Sequence, residues 1–196
     1  MIRVIGVTGG IASGKSTLLG LLRREGVPGI DSDRIVHRLL RRGTAVYSDV
    51  AAAFGEAYLG ARGEIDRRKL GRTVFASRAA RRKLERIVHP AVFAQIAEEA
   101  GRLRRRGHRR MAVDVPLLFE TRADEGVDVV AVAHVPRAVQ VRRLLARGHT
   151  RAEATARIGS QLSLDWKRRR ADKVFDMTKP INQVRQEVRA WLKQLS

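Results

Sequence analysis

A glycine-rich loop near the start of this chain constrains its fold more than any other feature. The loop follows an apolar run, residues 1–7, and precedes a leucine-rich helical pattern; it reads Gly9-Gly10-Ile11-Ala12-Ser13-Gly14-Lys15-Ser16-Thr17. The spacing of Gly9, four residues and Gly14-Lys15-Ser16 matches the phosphate-binding loop (P-loop) that joins a buried strand to a helix. A glycine-rich turn with an exposed lysine would not explain why strand, spacing and helix coincide. The sequence therefore predicts a P-loop NTPase fold.

The residue types of this loop suit a nucleotide polyphosphate. Glycines permit the close backbone approach that lets N–H groups surround phosphate oxygens, and the N-terminus of the following helix adds its positive dipole end. Lys15 can reach the β- and γ-phosphates, and the Ser16 hydroxyl suits Mg²⁺. The residues expected to bind the nucleotide are Gly10, Ala12, Ser13, Gly14, Lys15, Ser16 and Thr17.

Length and composition set further bounds on this chain. At 196 residues it is expected to form a single domain, or a core with insertions. The absence of cysteine excludes disulfides and thiolate metal sites and is compatible with a reducing cytosol. No export signal pattern opens the sequence, and no apolar run approaches the length of a membrane span. We therefore expect a cytoplasmic protein without a membrane partner, whose oligomeric state the sequence does not specify.

The net charge of +20, from 40 Lys and Arg against 20 Asp and Glu, has three possible meanings. It could serve nucleic acid, substrates that carry many phosphates, or solvated arginine-rich faces. The densest stretch, residues 102–110, lacks the interleaved aromatic residues that stack on bases, and it lies where a helix should end. We therefore expect no specific nucleic-acid partner.

Carboxylates occur near the ends of two expected strands. Asp31 and Asp33 end the short strand at 27–33, where alternate residues share a face, and Asp114 lies in the apolar strand 111–115. Ligands of open α/β sheets bind at the carboxyl ends of strands, so these acids should face the P-loop. One of the pair could accept the proton of a hydroxyl acceptor, the alternative being a helix N-cap. Asp114 would either hold Mg²⁺ through water or hydrogen-bond to the P-loop.

The rest of the chain predicts helices and two further strands. Residues 34–106 read as a helical insertion in which Pro90 should break a helix, and His89 would either cap that break or contact a substrate hydroxyl or phosphate. Strands are expected at 127–135 and 171–176. The closing helix, 181–195, should turn inward its residues Val184, Val188, Trp191, Leu192 and Leu195.

An arginine-bearing helix is expected after the fourth strand. Gln140, Arg143 and Arg147 recur there at helical spacing along one face. Mobile arginines beside a nucleotide site can stabilise the transition state and exclude water, as a phosphoryl-transfer lid does. The alternative is a solvated charged face.

The assembled motifs resemble the bacterial dephospho-coenzyme A kinase family over nearly the whole chain. The resemblance rests on the P-loop with Val7 and Thr8, Asp31-Ser32-Asp33, Gly63-Glu64-Ile65-Asp66-Arg67, Leu84 to His89-Pro90, Pro116-Leu117-Leu118-Phe119-Glu120, Gln140 with Arg143 and Arg147, Gln161, and Ala171-Asp172. It implies transfer of the ATP γ-phosphate to the ribose 3′-hydroxyl of dephospho-CoA with Mg²⁺.

The resemblance also implies roles for individual residues. Catalysis would involve Lys15, Asp33 as the base, and Arg143 and Arg147 on the lid. Substrate would be bound by Thr8, Asp33, Arg67, His89, Pro116 and Leu117, and Mg²⁺ by Ser16 and Asp114. The implied partners are the small molecules ATP and dephospho-CoA.

The resulting expectation is a three-layer α/β fold of the nucleoside-monophosphate-kinase-like type, with a five-stranded parallel sheet. The nucleotide-binding core would comprise residues 1–33, 107–136 and 171–196, the helical CoA-binding insertion 34–106 and the helical lid 137–170. A nucleoside or nucleotide kinase of the same fold is the nearest alternative, and an arginine-rich nucleic-acid-dependent NTPase is a more distant one.

The sequence departs from the family pattern in two places. The family usually follows its last strand with an asparagine and a glycine near the adenine, and here Met177-Thr178-Lys179-Pro180 occupies that loop. The lid between Arg147 and Gln161 is also about a residue shorter than usual. Base recognition and lid geometry are therefore the least determined parts of the expected site.

Overall fold

The computed structural model describes residues 1–195, in which the chain divides into two compact units. One unit contains Met1–Asp31 and the chain from Ala100 onward, and the other contains Ser32–Glu99. In chain order the elements are β1 (Arg3–Gly9), α1 (Lys15–Arg24), β2 (Gly29–Asp31), α2 (Ser32–Leu39), α3 (Ala45–Phe54), α4 (Arg67–Ala76), α5 (Arg78–Arg105), β3 (Arg110–Asp114), β4 (Val129–His134), α6 (Arg137–Leu145), α7 (Arg151–Gly159), α8 (Leu164–Arg168), β5 (Lys173–Asp176) and α9 (Ile181–Gln194), with 3₁₀ turns at Glu56–Tyr58 and Ala123–Gly126.

The first unit is built on a five-stranded sheet in the order β2-β3-β1-β4-β5. Every neighbouring pair of strands is parallel, which confirms the predicted parallel sheet. Asp114 lies opposite Val7 on one side and opposite Asp31 on the other. The register therefore brings the ends of β2 and β3 level with the end of β1, where the P-loop begins.

Apolar side chains fix α1 and α9 in the core of this unit. Leu18 and Leu22 of α1 and Val184 and Val188 of α9 are completely buried. Trp191 and Leu192 are also buried, as predicted, whereas Leu195 lies just after α9 and is only half-buried. The inward face of the closing helix therefore ends one turn earlier than the sequence pattern indicates.

Strands β4 and β5 are shorter than the apolar pattern predicts because aspartates end the sheet pairing. Asp128 precedes β4, and its carboxylate accepts a hydrogen bond of 2.7 Å from the Val4 N–H. Asp172 precedes β5 and accepts one of 2.7 Å from the Val130 N–H. Each carboxylate takes the place of a backbone carbonyl, so the donor at the strand end is satisfied without a further strand residue.

The second unit is helical, as predicted, but the predicted break at Pro90 is wrong. Helix α5 runs through Pro90, and His89 therefore caps no helix end. An interior proline costs about 3 kcal/mol. Val88, Val92 and Ile96 are buried on the same helix, and burying each contributes about 1.5–3 kcal/mol. Their packing outweighs the lost hydrogen bond.

Candidate active site

The P-loop joins β1 to α1 through two residues in the left-handed region of backbone space. Ala12 has φ 59° and Gly14 has φ 97°. A Cβ on Gly14 would lie 3.1 Å from the Cβ of Met177, so a side chain there would be both strained and crowded. Ser16 and Thr17 are exposed in the first turn of α1, and no acidic residue occupies that turn. The loop and helix therefore present N–H groups and a hydroxyl suited to an anion.

Lys15 donates a hydrogen bond to the carboxylate of Asp114. Both side chains are partly accessible, with 17% and 23% of their surface exposed. The sequence left open whether Asp114 meets the P-loop or Mg²⁺, and this structure contains the P-loop hydrogen bond. Asp31 lies beside Asp114 in the strand register, so two carboxylates end adjacent strands next to the Lys15 pair.

Three side chains from α6 and the α7–α8 loop hold the backbone of the P-loop. The amide nitrogen of Gln140 donates to the Ile11 carbonyl at 2.7 Å, and the amide oxygen of Gln161 accepts from the Ile11 N–H at 2.9 Å. Arg143 donates to the Ala12 carbonyl at 3.1 Å. The segment expected to be a lid therefore touches the P-loop directly, and Leu144, Ala154 and Ile158 form a small apolar core against Ile11 and Ala12.

The two predicted lid arginines differ in their surroundings. Arg143 also donates to the Met177 carbonyl at 2.9 Å and is half-buried, whereas Arg147 is exposed. The predicted helical face holds for Gln140 and Arg143, but α6 ends at Leu145 and Arg147 lies in the turn that caps the helix. Gly148 ends the helix with φ 86°, and the next N–H, that of His149, donates back to the Leu144 carbonyl.

A cavity of about 230 Å³ lies beside the P-loop. One part of its wall is apolar and another carries three cations; the lining residues are Gly14, Thr17, Arg143, Arg147, Met177, Lys179, Ile181 and Val184. An aromatic ring with attached anionic groups matches this combination of surfaces. The cavity brings both predicted lid arginines together with the loop that departs from the family pattern.

Thr8, in β1, is hydrogen-bonded to the turn that follows β3. Thr8 is fully buried, and its hydroxyl donates to the Pro116 carbonyl at 3.2 Å. Pro116 and Leu117 are half-buried in the turn that follows β3. The Thr8 side chain thus anchors that turn, and a role in substrate binding stays a prediction.

The strand does not continue to Asp33, so Asp31 and Asp33 do not share the strand face that a longer strand would give them. Strand β2 ends at Asp31, α2 begins at Ser32, and Asp33 lies in the first helical turn. A carboxylate in that position is favoured by the helix dipole. The proposed base therefore belongs to a helix N-terminus in the second unit.

Within the second unit, Arg67 lines a cavity of about 890 Å³ that is rich in charged side chains. The lining residues are His37, Leu40, Arg41, Arg42, Gly60, Glu64, Ile65, Asp66, Arg67 and Arg68. Asp66 begins α4 by accepting hydrogen bonds from the N–H groups of Arg68 and Lys69. His89 lies on α5 and is half-buried against Phe93, with ring centroids 5.4 Å apart.

One buried charge near the P-loop was missed at the sequence level. Lys167 of α8 has no exposed side-chain surface and contacts Glu120. The only sequence signal is its three-residue spacing from Leu164, which is also buried. Because Lys167 is the first of four consecutive basic residues, this spacing alone does not indicate that its side chain is buried.

Two properties of residues 1–195 bear on cofactors and membranes. Over that range, no group of three or more His, Cys, Asp or Glu side chains is arranged to hold a metal ion. None of the helices described over the same range is long and apolar enough to span a membrane.

Comparison with known proteins gives consistent matches. The family model described as dephospho-CoA kinase matches residues 3–183. The chain is 46% identical to the dephospho-CoA kinase of Symbiobacterium thermophilum, covering 96% of this chain and 79% of that protein. It is 44% identical to the dephospho-CoA kinase of Geobacillus kaustophilus, over 99% and 97% of the two chains.

Solved structures agree with these sequence matches. A Thermus thermophilus protein superposes with a TM-score of 0.81 and 34% identity, over 100% of this chain and 98% of that one. The dephospho-CoA kinase of Campylobacter jejuni superposes with a TM-score of 0.67 and 29% identity, over the same shares of the two chains.

Proposed function

Because the chain belongs to the dephospho-CoA kinase family, we propose that it transfers the γ-phosphoryl group of ATP to the ribose 3′-hydroxyl of dephospho-CoA. The observation that carries the proposal is the complete P-loop, with Lys15 held at Asp114, inside a family match that spans residues 3–183. The products are ADP and coenzyme A.

In the proposed ATP complex, the phosphates lie on the P-loop N–H groups and the N-terminus of α1. Lys15 leaves its pairing with Asp114, at least in part, to contact the β- and γ-phosphates. The adenine ring occupies the 230 Å³ cavity, where Met177 and Ile181 supply apolar surface. The exposed Arg147 supplies charge to the transferring phosphoryl group. Arg143 holds the P-loop against the loop after β5 through its hydrogen bonds to the Ala12 and Met177 carbonyls.

The residues present fit a magnesium ion. The Ser16 hydroxyl is exposed at the start of α1, and the Asp31 and Asp114 carboxylates end adjacent strands. Oxygen donors of this kind are those that Mg²⁺ prefers, with the remaining positions taken by phosphate and water. We propose that Ser16 ligates the ion and that Asp114 holds it through water. When bound, Mg²⁺ would neutralise charge on the phosphate oxygens.

Dephospho-CoA carries a diphosphate and an extended arm, and the second unit has a surface whose charge suits the diphosphate. Arg41, Arg42, Arg67 and Arg68 surround the 890 Å³ cavity, where guanidinium groups could pair with phosphate oxygens in bidentate fashion. We therefore propose this cavity as part of the substrate site, with Arg67 as a phosphate ligand. We also propose His89 as a substrate contact, on the family resemblance alone.

The proposed chemical step is an in-line displacement at the γ-phosphorus. The 3′-oxygen forms the new P–O bond while the bond to the β–γ bridging oxygen breaks, and ADP leaves with that electron pair. Asp33 orients the hydroxyl and accepts its proton. Because the transition state is mainly stabilised by positioning and charge, Lys15 and Arg147 would contribute through electrostatics and not through bonds.

A coupled assay of ADP formation tests the proposal. Dephospho-CoA should stimulate ATP consumption far above nucleosides, AMP or single-stranded DNA, and the product should carry a new 3′-phosphate by NMR. Lys15→Ala serves as the inactive control for contaminating kinases. Preferential phosphorylation of a nucleoside or AMP would instead identify a nucleotide kinase, and stimulation by DNA alone would identify a nucleic-acid-dependent NTPase.

A further inference from the structure

We propose that Lys167 is a positioning residue for the nucleotide site, acting through the backbone on both sides of the P-loop strand. The inference rests on the proposed function for the identity of the nucleotide, but its geometry is independent of the acceptor substrate. The ammonium group of Lys167 contacts two backbone carbonyls and one carboxylate of the protein. It acts on the carbonyls that hold the loops in place.

The ammonium group of Lys167 is fully buried and uses all three of its donors. It contacts the Gly9 carbonyl at 3.2 Å, the Pro116 carbonyl at 3.4 Å and the Glu120 carboxylate at 2.8 Å. A lysine ammonium has three N–H groups and no acceptor. The three partners therefore match the donors one to one.

The two carbonyls belong to the segments that frame the proposed reaction. Gly9 is the last residue of β1 and the first of the P-loop, and Pro116 opens the turn after β3. The Pro116 carbonyl also accepts the Thr8 hydroxyl. One buried ammonium thus fixes the start of the phosphate loop against the turn that follows Asp114, whose carboxylate pairs with Lys15.

Burial of Lys167 disfavours its charged form. Burial lowers the pKa of Lys167, the nearby Lys15 charge lowers it further, and the hydrogen bond and charge of Glu120 oppose that decrease. Glu120 is itself held, since the same oxygen accepts from the Leu162 N–H at 3.0 Å. Buried ion pairs often stabilise a protein no better than apolar residues of similar size would. The arrangement is therefore better explained by placement of the two carbonyls than by stability.

A double variant separates placement from stability. Lys167→Met keeps the length of the side chain without its charge, and Glu120→Gln keeps an acceptor for Leu162 while removing the partner charge. Combined, they leave no unpaired buried charge, so the protein should remain folded by circular dichroism and thermal unfolding. Arg168→Met is the matched control, because Arg168 is the next residue and its side chain is 53% exposed.

The measurements are the equilibrium affinity for ATP, by titration calorimetry, and kcat and KM for ATP. We expect the double variant to bind ATP at least about tenfold more weakly and to lose about tenfold or more in kcat/KM, since small displacements of a positioning loop cost that much. Arg168→Met should match wild type. A folded double variant with wild-type affinity and kinetics would overturn the proposal.

If the double variant does not fold, the same measurements on Lys167→Arg test the positioning role. It keeps the ion pair with Glu120, but a planar guanidinium cannot direct donors to the same three points. A KM for ATP raised at least about threefold at an unchanged melting temperature would support positioning, and an unchanged KM would refute it. ATP affinity is measured without dephospho-CoA, so failure of wild type to phosphorylate that substrate would overturn the proposed function and leave this result standing.

Discussion

Lys15, the first residue of α1, and Asp114, the last residue of β3, are hydrogen-bonded to each other in this structure. The pairing leaves the P-loop lysine close to where phosphate would lie and partly neutralises it. A nucleotide arriving with several negative charges would compete with Asp114 for the Lys15 ammonium, beside the proposed magnesium site. One pair of residues thus links nucleotide binding to the proposed magnesium site.

The first prediction concerns Asp114→Asn. The amide cannot carry the charge that holds Mg²⁺ through water, and losing such outer ligands typically costs about 10- to 100-fold in metal affinity or activity. We expect the Mg²⁺ concentration needed for half-maximal activity to rise by that factor. Titration of Mg²⁺ at saturating ATP measures it. Glu125→Gln, at a side chain that is 68% exposed, is the control, and an unchanged Mg²⁺ requirement in Asp114→Asn would remove Asp114 from the metal site.

The second prediction is that Lys15→Ala and Asp33→Asn fail differently. Lys15→Ala removes charge from the phosphate site, so both ATP affinity and turnover should fall. Asp33→Asn removes the proposed base, so kcat should fall by about 10²- to 10⁴-fold while ATP affinity stays near that of wild type. Titration calorimetry and steady-state kinetics separate the two. Near-normal turnover of dephospho-CoA by Asp33→Asn would show that Asp33 is not the base.

The third prediction is a pH dependence of stability that originates at Glu25. Hydrogen bonds from Arg189 and Arg185 of α9 lower the pKa of Glu25 from 4.5 to about 2. A depressed carboxyl pKa means that the folded state holds its proton less tightly than the unfolded chain does. The stabilising contribution is therefore complete above about pH 4.5 and is lost as the pH falls towards 2.

Urea unfolding of wild type and Glu25→Gln measures this effect. The variant should be less stable at neutral pH, and the difference should shrink as the pH falls below 4.5, because protonated Glu25 resembles the amide. The exposed pair of Arg122 and Glu125 supplies a control in Glu125→Gln, which should show no such trend. A difference between wild type and Glu25→Gln that does not vary with pH would contradict the assignment.

How far the sequence predicted this molecule depends on whether the determinants were local. The P-loop and the parallel sheet were predictable because glycine spacing and apolar runs are local signals that tertiary contacts reinforce. Pro90 was misjudged because its local cost is outweighed by packing on the neighbouring turns. Arg147 was expected to continue the helix because its spacing is helical, but α6 ends at Leu145 and residues 146–148 form the turn that caps it.

The contacts of Lys167 could not be predicted from the sequence because they too depend on tertiary structure. Its neighbours Arg168, Arg169 and Arg170 are exposed, and composition alone gives all four basic residues the same expectation of a solvated face. Only the fold brings Gly9, more than a hundred residues away in the chain, to the end of that side chain. Buried polar networks of this kind are tertiary features without a short sequence signature.

The fourth prediction concerns the nucleotide base. The loop after β5 has its backbone N–H groups engaged within the protein: Met177 donates to the His134 carbonyl at 2.8 Å, and Thr178 donates to the Asp176 carboxylate at 2.9 Å. The Met177 carbonyl accepts from Arg143. Few groups of the loop therefore remain to read the edge of a purine.

Selectivity for adenine over guanine should accordingly be modest. A site that reads a base by hydrogen bonds rejects the wrong base because buried polar groups are left unpaired, whereas the flexible thioether of Met177 can pack against either purine. We expect kcat/KM for GTP to lie within about a hundredfold of that for ATP, a difference of about 2.7 kcal/mol.

The test is kcat/KM for ATP and for GTP with dephospho-CoA as the acceptor. Met177→Asn provides the matched comparison. Asparagine returns a side-chain amide to the position where the family usually carries one, so the variant should prefer ATP more strongly than wild type does. Arg168→Met, away from the base cavity, should leave the ratio unchanged. A wild-type preference for ATP well beyond a hundredfold would mean that other groups around the cavity, such as Lys179 or free backbone carbonyls, read the base in place of the missing amide.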